Sequence, residues 1–349
     1  LREVLFTRLL AHFQFQNEFQ LFTGTNDHGR LRFGVHIYGP QRAAVHFDHV
    51  SNLFAPTTVD ACYQHDGKGI VGGIKSDNGQ WNTHGHRDRI VPIDDAALAT
   101  FAKLYDEPGT PARRARLPAL HAGALNSVLV KLAAYPRRLA DLGDGYVSTE
   151  MWHETMQQKD GTLSRRPSSD AGFAARPADW VLSGPHFFLA NPFNKTPRKV
   201  CTANGHYDIL DLPTLPDDYL PRTNYCTMAD RAEYRRRTPR VSWTLDRAMW
   251  LDWDNLTQEE QEMRPDLAGQ KVIVARPYRP LVTDHFRLVN REMIGPSSER
   301  TLITTLIPPG TALVNTALGL AFKSSGELCG RLAFTQSLVA DFRVKSTGM

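Results

Sequence analysis

Asp179-Trp-Val-Leu-Ser-Gly-Pro-His-Phe-Phe-Leu-Ala-Asn-Pro-Phe-Asn-Lys-Thr-Pro-Arg198, then Tyr207-Asp-Ile-Leu-Asp-Leu212 and Leu215-Pro-Asp-Asp-Tyr-Leu-Pro-Arg-Thr-Asn-Tyr225, form the most distinctive segment of the chain. Its apolar runs are short and are interrupted by Pro, Asn and Gly. No single helix can span it, and it reads as strands joined by shaped loops. The polar residues fall in the loops, which suits a rigid surface presenting Asn, Lys, Arg, His and Tyr to a partner. The same pattern also fits Pro-rich connections in an ordinary mixed domain.

Outward from this stretch, the 349 residues suffice for two or three domains at about 150 residues each. Hydrophobic residues at 41% and charged residues at 22% are ordinary for a globular chain, so disorder is not expected. No apolar run reaches bilayer length, and Leu1-Arg-Glu-Val-Leu-Phe-Thr-Arg8 lacks the apolar block of a signal peptide. A cytoplasmic protein without a membrane partner is expected. Cys62, Cys201, Cys226 and Cys329 form no Cys-x-x-Cys pair, which favours reduced structural thiols over a zinc site or disulfide framework. The net charge of +4 is mild, but its distribution is uneven. Arg222, Arg231, Arg235, Arg236, Arg237, Arg240 and Arg247 are opposed only by Asp230, Glu233 and Asp246. Such a cluster neutralises phosphates or forms a solvated charged face.

In chain order, Leu5, Leu9 and Phe13 have helical spacing, so a helix is expected over the first 22 residues. With no initiator Met and no capping residue before it, Leu1 reads as the interior of something longer. Leu31–Tyr38 alternates as a strand does, and Ala43–Phe47 looks like a second. Residues 55–90 are rich in Gly and read as loops. His65-Asp66 and His84-Gly-His86 invite a metal reading; His84 and His86 would share a face on a strand, but no nearby Cys or third obvious ligand completes a set with them. Gly67-Lys-Gly-Ile-Val-Gly72 lacks the Gly-Lys-Ser/Thr ending of a phosphate loop, which removes a nucleoside-triphosphatase. Helices are expected over Ala96–Tyr105 and Leu117–Tyr135, and an exposed one over Asp246–Gln261. Lys271–Ala275, Phe286–Val289 and Thr301–Ile307 read as strands, which makes the C-terminal third mainly β.

The motifs His12-Phe-Gln-Phe-Gln-Asn-Glu18, Phe47-Asp-His-Val-Ser-Asn-Leu-Phe54, Thr149-Glu-Met-Trp-His-Glu154, Ser183-Gly-Pro-His-Phe-Phe188, Leu215–Tyr225 and Glu299-Arg-Thr-Leu-Ile303 occur in one order along nearly the whole chain. Together they resemble the C-terminal portion of large bacterial adenine-specific DNA methyltransferases of the type IIG restriction-modification group and related phage-defence methylases. In that family an N-terminal Rossmann-like domain binds S-adenosylmethionine and carries an Asn-Pro-Pro-Tyr or Asn-Pro-Pro-Trp motif that holds the flipped adenine. Here Asn191-Pro-Phe193 is the nearest match, but it lacks the second Pro and stands in the downstream region. There is also no strand followed by a Gly-rich cofactor turn and an acidic residue. The catalytic half is therefore expected to be missing. No catalytic or cofactor-binding residue is assigned, S-adenosylmethionine belongs to the full-length parent, and the chain alone is expected to transfer no methyl group.

The resemblance implies a mixed α/β (α+β) chain. Residues 1–60 would be the end of a Rossmann-like methyltransferase sheet, residues 61–145 a loop and helical connector, and residues 146–349 a β-rich target recognition domain. Its implied partners are double-stranded DNA, the missing N-terminal catalytic domain and other defence-system subunits. Because Arg pairs with guanine, Asn with adenine, and Lys mostly with phosphate, the expected DNA-binding residues are Lys195, Arg198, Lys199, Asn204, Arg222, Asn224, Arg235, Arg236 and Arg237. Two other classes compete. One is a non-catalytic interaction module of a defence complex, whose Arg cluster meets an acidic partner. The weaker is a hydrolase using Asp217-Asp218 or His153-Glu154, since adjacent carboxylates diverge on either a strand or a helix.

Overall fold

The computed structural model describes residues 1–22, 31–167, 172–189, 194–203, 205–292, 295 and 298–347. Asn204 and the Asn191-Pro-Phe193 motif lie outside the described residues. The chain is a mixture of helices and sheets, and it divides into two compact units. One comprises residues 1–137 with the residues from 342 onward, and the other residues 138–341.

In the first unit, α1 (Arg2–Phe6) lasts only five residues, and Leu9–Gln16 is strand β1 rather than the continuation of a helix. The helical spacing of Leu5, Leu9 and Phe13 is overridden by the alternation Phe13-Gln-Phe-Gln16, which suits a pleated surface. An irregularity between Leu9 and Ala11 also sends neighbouring apolar residues to different cores. Leu9 packs with Phe6, Phe47 and Ile93, whereas Ala11, Phe13 and Phe15 pack with Val50, Leu53 and Cys62.

β2 (Arg32–Tyr38) pairs antiparallel with β1, as expected for that stretch, and β3 (His46–Leu53) runs parallel to β1. α2 (Thr57–Gln64) follows, and β4 (Val91–Asp94) completes a four-stranded sheet of order β2-β1-β3-β4. Asp94 accepts a hydrogen bond from the Ala97 amide and so caps α3 (Asp95–Tyr105). α4 (Ala124–Ala134) is shorter than its sequence suggests, because Pro118 and Gly123 stand ahead of it. Leu98 and Phe101 of α3 and Leu129 of α4 cover Phe47 and Ile93.

Within the loop-rich region, buried Arg89 gathers the carbonyls of His84, Ser51 and Asn52, tying residues 84–89 to the end of β3. Gly85 is required there, because a Cβ would lie 2.4 Å from the Ala61 and Cys62 backbone. β4, α3 and α4 thus share the core of the first strands. The chain passes between the two units twice, after Arg137 and after Asp341.

The second unit contains β5 (Tyr146–Thr149), α5 (Glu154–Lys159), β6 (Leu163–Arg165), β7 (Gly172–Phe173), β8 (Val181–Leu182), β9 (Lys195–Pro197), β10 (Tyr207–Ile209), β11 (Arg222–Thr223) and β12 (Tyr225–Thr227). It continues with α6 (Arg231–Arg237), β13 (Leu245–Asp252), α7 (Gln258–Met263), β14 (Lys271–Tyr278), β15 (Arg287–Arg291), β16 (Thr304–Ile307), β17 (Ala312–Leu313), β18 (Ala317–Phe322) and α8 (Ser325–Thr335). An antiparallel sheet of order β16-β15-β18-β5 carries the core, with Trp152, Val181, Leu182, Val289 and Ile307 buried beside it. The Asp179–Cys226 stretch consists, as read, of short strands on shaped loops, paired β10-β9, β11-β7, β12-β6 and β17-β8. Of the expected Asp246–Gln261 helix only the last four residues are α-helical, at the start of α7 (Gln258–Met263). The first half of the expected helix pairs in register with the β-branched run Lys271-Val-Ile-Val-Ala275, and cross-strand packing outweighs the weak helical pattern.

Candidate nucleic-acid interface

A buried polar network holds the central loops in place. The Ser183-Gly-Pro-His186 turn closes on itself when the Ser183 amide donates to His186 Nδ1 at 3.1 Å. With Nδ1 accepting, the proton of the neutral ring sits on Nε2, which donates to the Arg222 carbonyl at 2.9 Å. Burial pushes the His186 pKa down and keeps the ring neutral. Ser183 Oγ lies 3.3 Å from the Tyr207 hydroxyl, and Asn224 Nδ2 donates to that same hydroxyl at 2.9 Å. Thr223 Oγ1 donates to the Val181 carbonyl at 2.7 Å. β8, β10 and β11 are thereby locked together by groups that sequence reading left unconnected.

Asn224 takes part in this network and does not stand at the surface. Its side chain is buried, and its amide reaches Tyr207 and the Cys201 sulfur, so in this conformation it offers nothing to an adenine edge. The Asn type is right for base reading. Its place on the inward side of a strand end assigns it to the scaffold.

On the rim of the network stand three cations, of which Lys195 and Arg291 are close enough for their charges to interact. Lys195 Nζ sits 4.0 Å from the centroid of the Phe188 ring, and the Arg222 guanidinium 4.7 Å from that of Phe173. Arg291 donates from Nη1 to the Phe187 carbonyl at 3.0 Å, beside the ring that carries Lys195. The Arg222 amide donates to Thr196 Oγ1 at 3.0 Å, which ties the base of the Arg222 side chain to the Lys195 strand. Partial burial, and then the Arg291 charge, lower the Lys195 pKa. Arg166 lies against β7, where a Cβ on Gly172 would come within 2.5 Å of its Nη1. Among the described residues no carboxylate forms an ion pair with Lys195, Arg222, Arg291 or Arg166. Arg291 and Arg166 carry no local sequence signal, since only strand pairing brings them here.

The other basic positions behave differently. Arg198 Nε donates to Asp208 at 2.7 Å across the β9-β10 pair, and Lys199 is exposed. On α6, capped by Asp230, Arg236 and Arg237 converge on the Glu233 carboxylate at 2.5 to 2.7 Å. These two guanidinium groups pull the Glu233 pKa down to about 2. Arg237 also donates to Thr162 Oγ1 at 2.7 Å, and Arg235 faces Asp284 at 3.8 Å. Arg231 pairs with Asp179, and Arg240 donates to the Arg279 carbonyl at 2.7 Å. The run that looks most basic in sequence is thus largely neutralised within the protein, because α-helical spacing sets Glu233 against Arg236 and Arg237.

Elsewhere, Glu154 faces Arg165 at 3.5 Å, and Asp217 and Asp218 are exposed in a turn. The His65 and His86 rings lie tilted with their centroids 4.2 Å apart, and no group of three metal-binding side chains is assembled among the described residues. No helix among them is long and apolar enough to cross a membrane. No protein-family model matches the chain, and no curated protein matches it significantly.

Proposed function

We propose that this chain is the DNA-recognition part of an S-adenosylmethionine-dependent adenine-N6 DNA methyltransferase of a restriction-modification or phage-defence system, the methyl-transfer centre lying in the parent enzyme's catalytic domain. The ordered set of sequence motifs suggests the family. The observation that carries DNA contact is the grouping of Lys195, Arg222 and Arg291, held on aromatic rings and backbone without ion-pairing carboxylates. Cations placed in this way release counterions when phosphates bind, whereas Arg236 and Arg237 must first give up Glu233. The same pairing weakens the alternative in which the Arg cluster docks an acidic protein.

The test is binding of mixed-sequence duplex DNA against salt. Replacing Lys195, Arg222 and Arg291 together by Ala removes three phosphate contacts. The slope of log affinity against log salt then flattens by about 2.7, and affinity near 0.15 M salt falls on the order of 100-fold. Replacing Arg235, Arg236 and Arg237 has a smaller effect. Unchanged affinity and slope in the first variant, with its circular dichroism intact, would sink the reading.

A further inference from the structure

Phe173 and Arg222 stand directly opposite each other in the β7-β11 pair, with the guanidinium 4.7 Å from the ring centroid. The ring is nevertheless 57% exposed. Elsewhere among the described residues, the rings that meet Lys75, Lys195, Arg247 and Arg343 are half-buried or buried. Only Phe334 is comparable, and its Arg331 partner lies farther off, at 5.6 Å. Arg222 covers one face of Phe173. No other ring packs on it among the described residues, so the opposite face is open to solvent.

Both members of the pair are held from behind. The Arg222 amide donates to Thr196 Oγ1, and its carbonyl accepts from buried His186 Nε2. Phe173 lies between Gly172, which Arg166 approaches closely, and Ala174, which is buried. The ring therefore sits on fixed backbone, yet more than half of it contributes nothing to the core. Around it the cations Arg222, Lys195 and Arg291 form no ion pair with a carboxylate among the described residues.

We infer that, on the DNA contact proposed above, this pair receives a base from a locally unpaired stretch of the DNA: the base stacks on the open face of Phe173, and a flanking phosphate meets Arg222. A site for phosphates alone has no use for an exposed ring. A run of carboxylates would meet the cations and leave the ring face in water. A base within a matched duplex has both faces covered by its neighbours, so it can reach the ring only after it is unstacked, which is cheapest at a mismatch. Uncompensated cations beside an open aromatic face are the arrangement that holds a single strand, with charge for the backbone and the ring for the base.

The experiment uses the full chain with two fluorescein-labelled duplexes of mixed sequence, one fully matched and one carrying a short central run of mismatches, followed by anisotropy at one fixed salt concentration. The parent binds the mismatched duplex about tenfold more tightly, because one stacked base is gained without the cost of opening the helix. Phe173→Trp keeps that ratio. Phe173→Leu retains an apolar seat beneath Arg222 but has no ring to stack on, and its ratio falls to about one. Circular dichroism checks both folds. Equal binding of the two duplexes by the parent overturns the inference while the DNA contact itself stands, whatever the variants do. A preference that survives in folded Phe173→Leu overturns it in the same way. Binding of neither duplex overturns both readings.

Discussion

His49 lies at the end of a chain of imidazoles that spans three strands of the first unit, and its substitution by Gln should make the protein less acid-sensitive. Strand register sets His36 opposite His12, and His12 opposite His49. The rings stack at 4.6 and 4.8 Å, with Tyr38 beyond His36. His49 Nε2 donates to the Pro118 carbonyl at 3.1 Å, so its bare Nδ1 accepts from His12 Nδ1 at 2.9 Å. A proton added to His49 Nδ1 removes the acceptor and breaks this arrangement. Burial pulls the His12 pKa down to about 3, helped by the neighbouring His49 and His36, and burial pulls that of His49 to about 4.

The unfolded chain titrates near 6.5 and takes up protons that the folded chain refuses, so stability is full above that pH and is lost progressively as pH falls towards 4. For His49 alone the loss between about pH 7.5 and about pH 5 is about 2 kcal/mol, from about 1.36 kcal/mol per pH unit. The Gln amide can donate to Pro118 while its carbonyl accepts from His12, keeping both bonds without a titrating group. Urea unfolding at the two pH values should show a pH-dependent loss smaller by about 2 kcal/mol in His49→Gln than in the parent. Other buried histidines, such as His121 and His186, contribute equally to both proteins. An unchanged difference, or an NMR titration showing His49 protonated near pH 6, would refute the reasoning.

Asn224→Ala should lower stability by about 1–3 kcal/mol, since it removes a donor from the buried Tyr207 hydroxyl, while leaving the salt slope of duplex binding unchanged; thermal melts and a salt titration check both halves. Glu233→Gln frees Arg236 and Arg237 and should strengthen duplex binding about fivefold near 0.15 M salt if one more phosphate contact results, with no gain in 1 M salt. Arg287 is fully buried in β15, with Nη1 3.7 Å from the Met151 sulfur, Nη2 bonded to the Thr311 carbonyl, and no ion-pairing carboxylate among the described residues. Burial draws its pKa down to about 10. Arg287→Met should therefore hold stability within about 1 kcal/mol of the parent, whereas Arg287→Ala, which opens a cavity, should lose about 3 kcal/mol. A Met variant that melts as low as the Ala variant would show that the charge itself is needed.

Several elements could be read from the chain by itself. The strands at residues 32–38, 271–278 and 304–307 and the helix at 95–105 follow local alternation, helical periodicity and the Asp94 cap. The stretch from Asp179 to Cys226 likewise announces short strands on loops, because Pro, Asn and Gly act on their immediate neighbours. Tertiary packing decided the rest. Leu9 and Phe13 have helical spacing yet enter different cores, since a strand irregularity between Leu9 and Ala11 changes which face each residue meets. Lys195 and Arg222 are visible as cations in sequence, but their grouping with Arg291 depends on strand pairing, as does the burial of Asn224 beside Tyr207. The apparent basicity of Arg236 and Arg237 is cancelled by Glu233 only once α6 forms. Periodicity records which side of an element is buried. Which distant side chain fills the space opposite depends on register and three-dimensional packing, and those place together residues that are far apart in the chain.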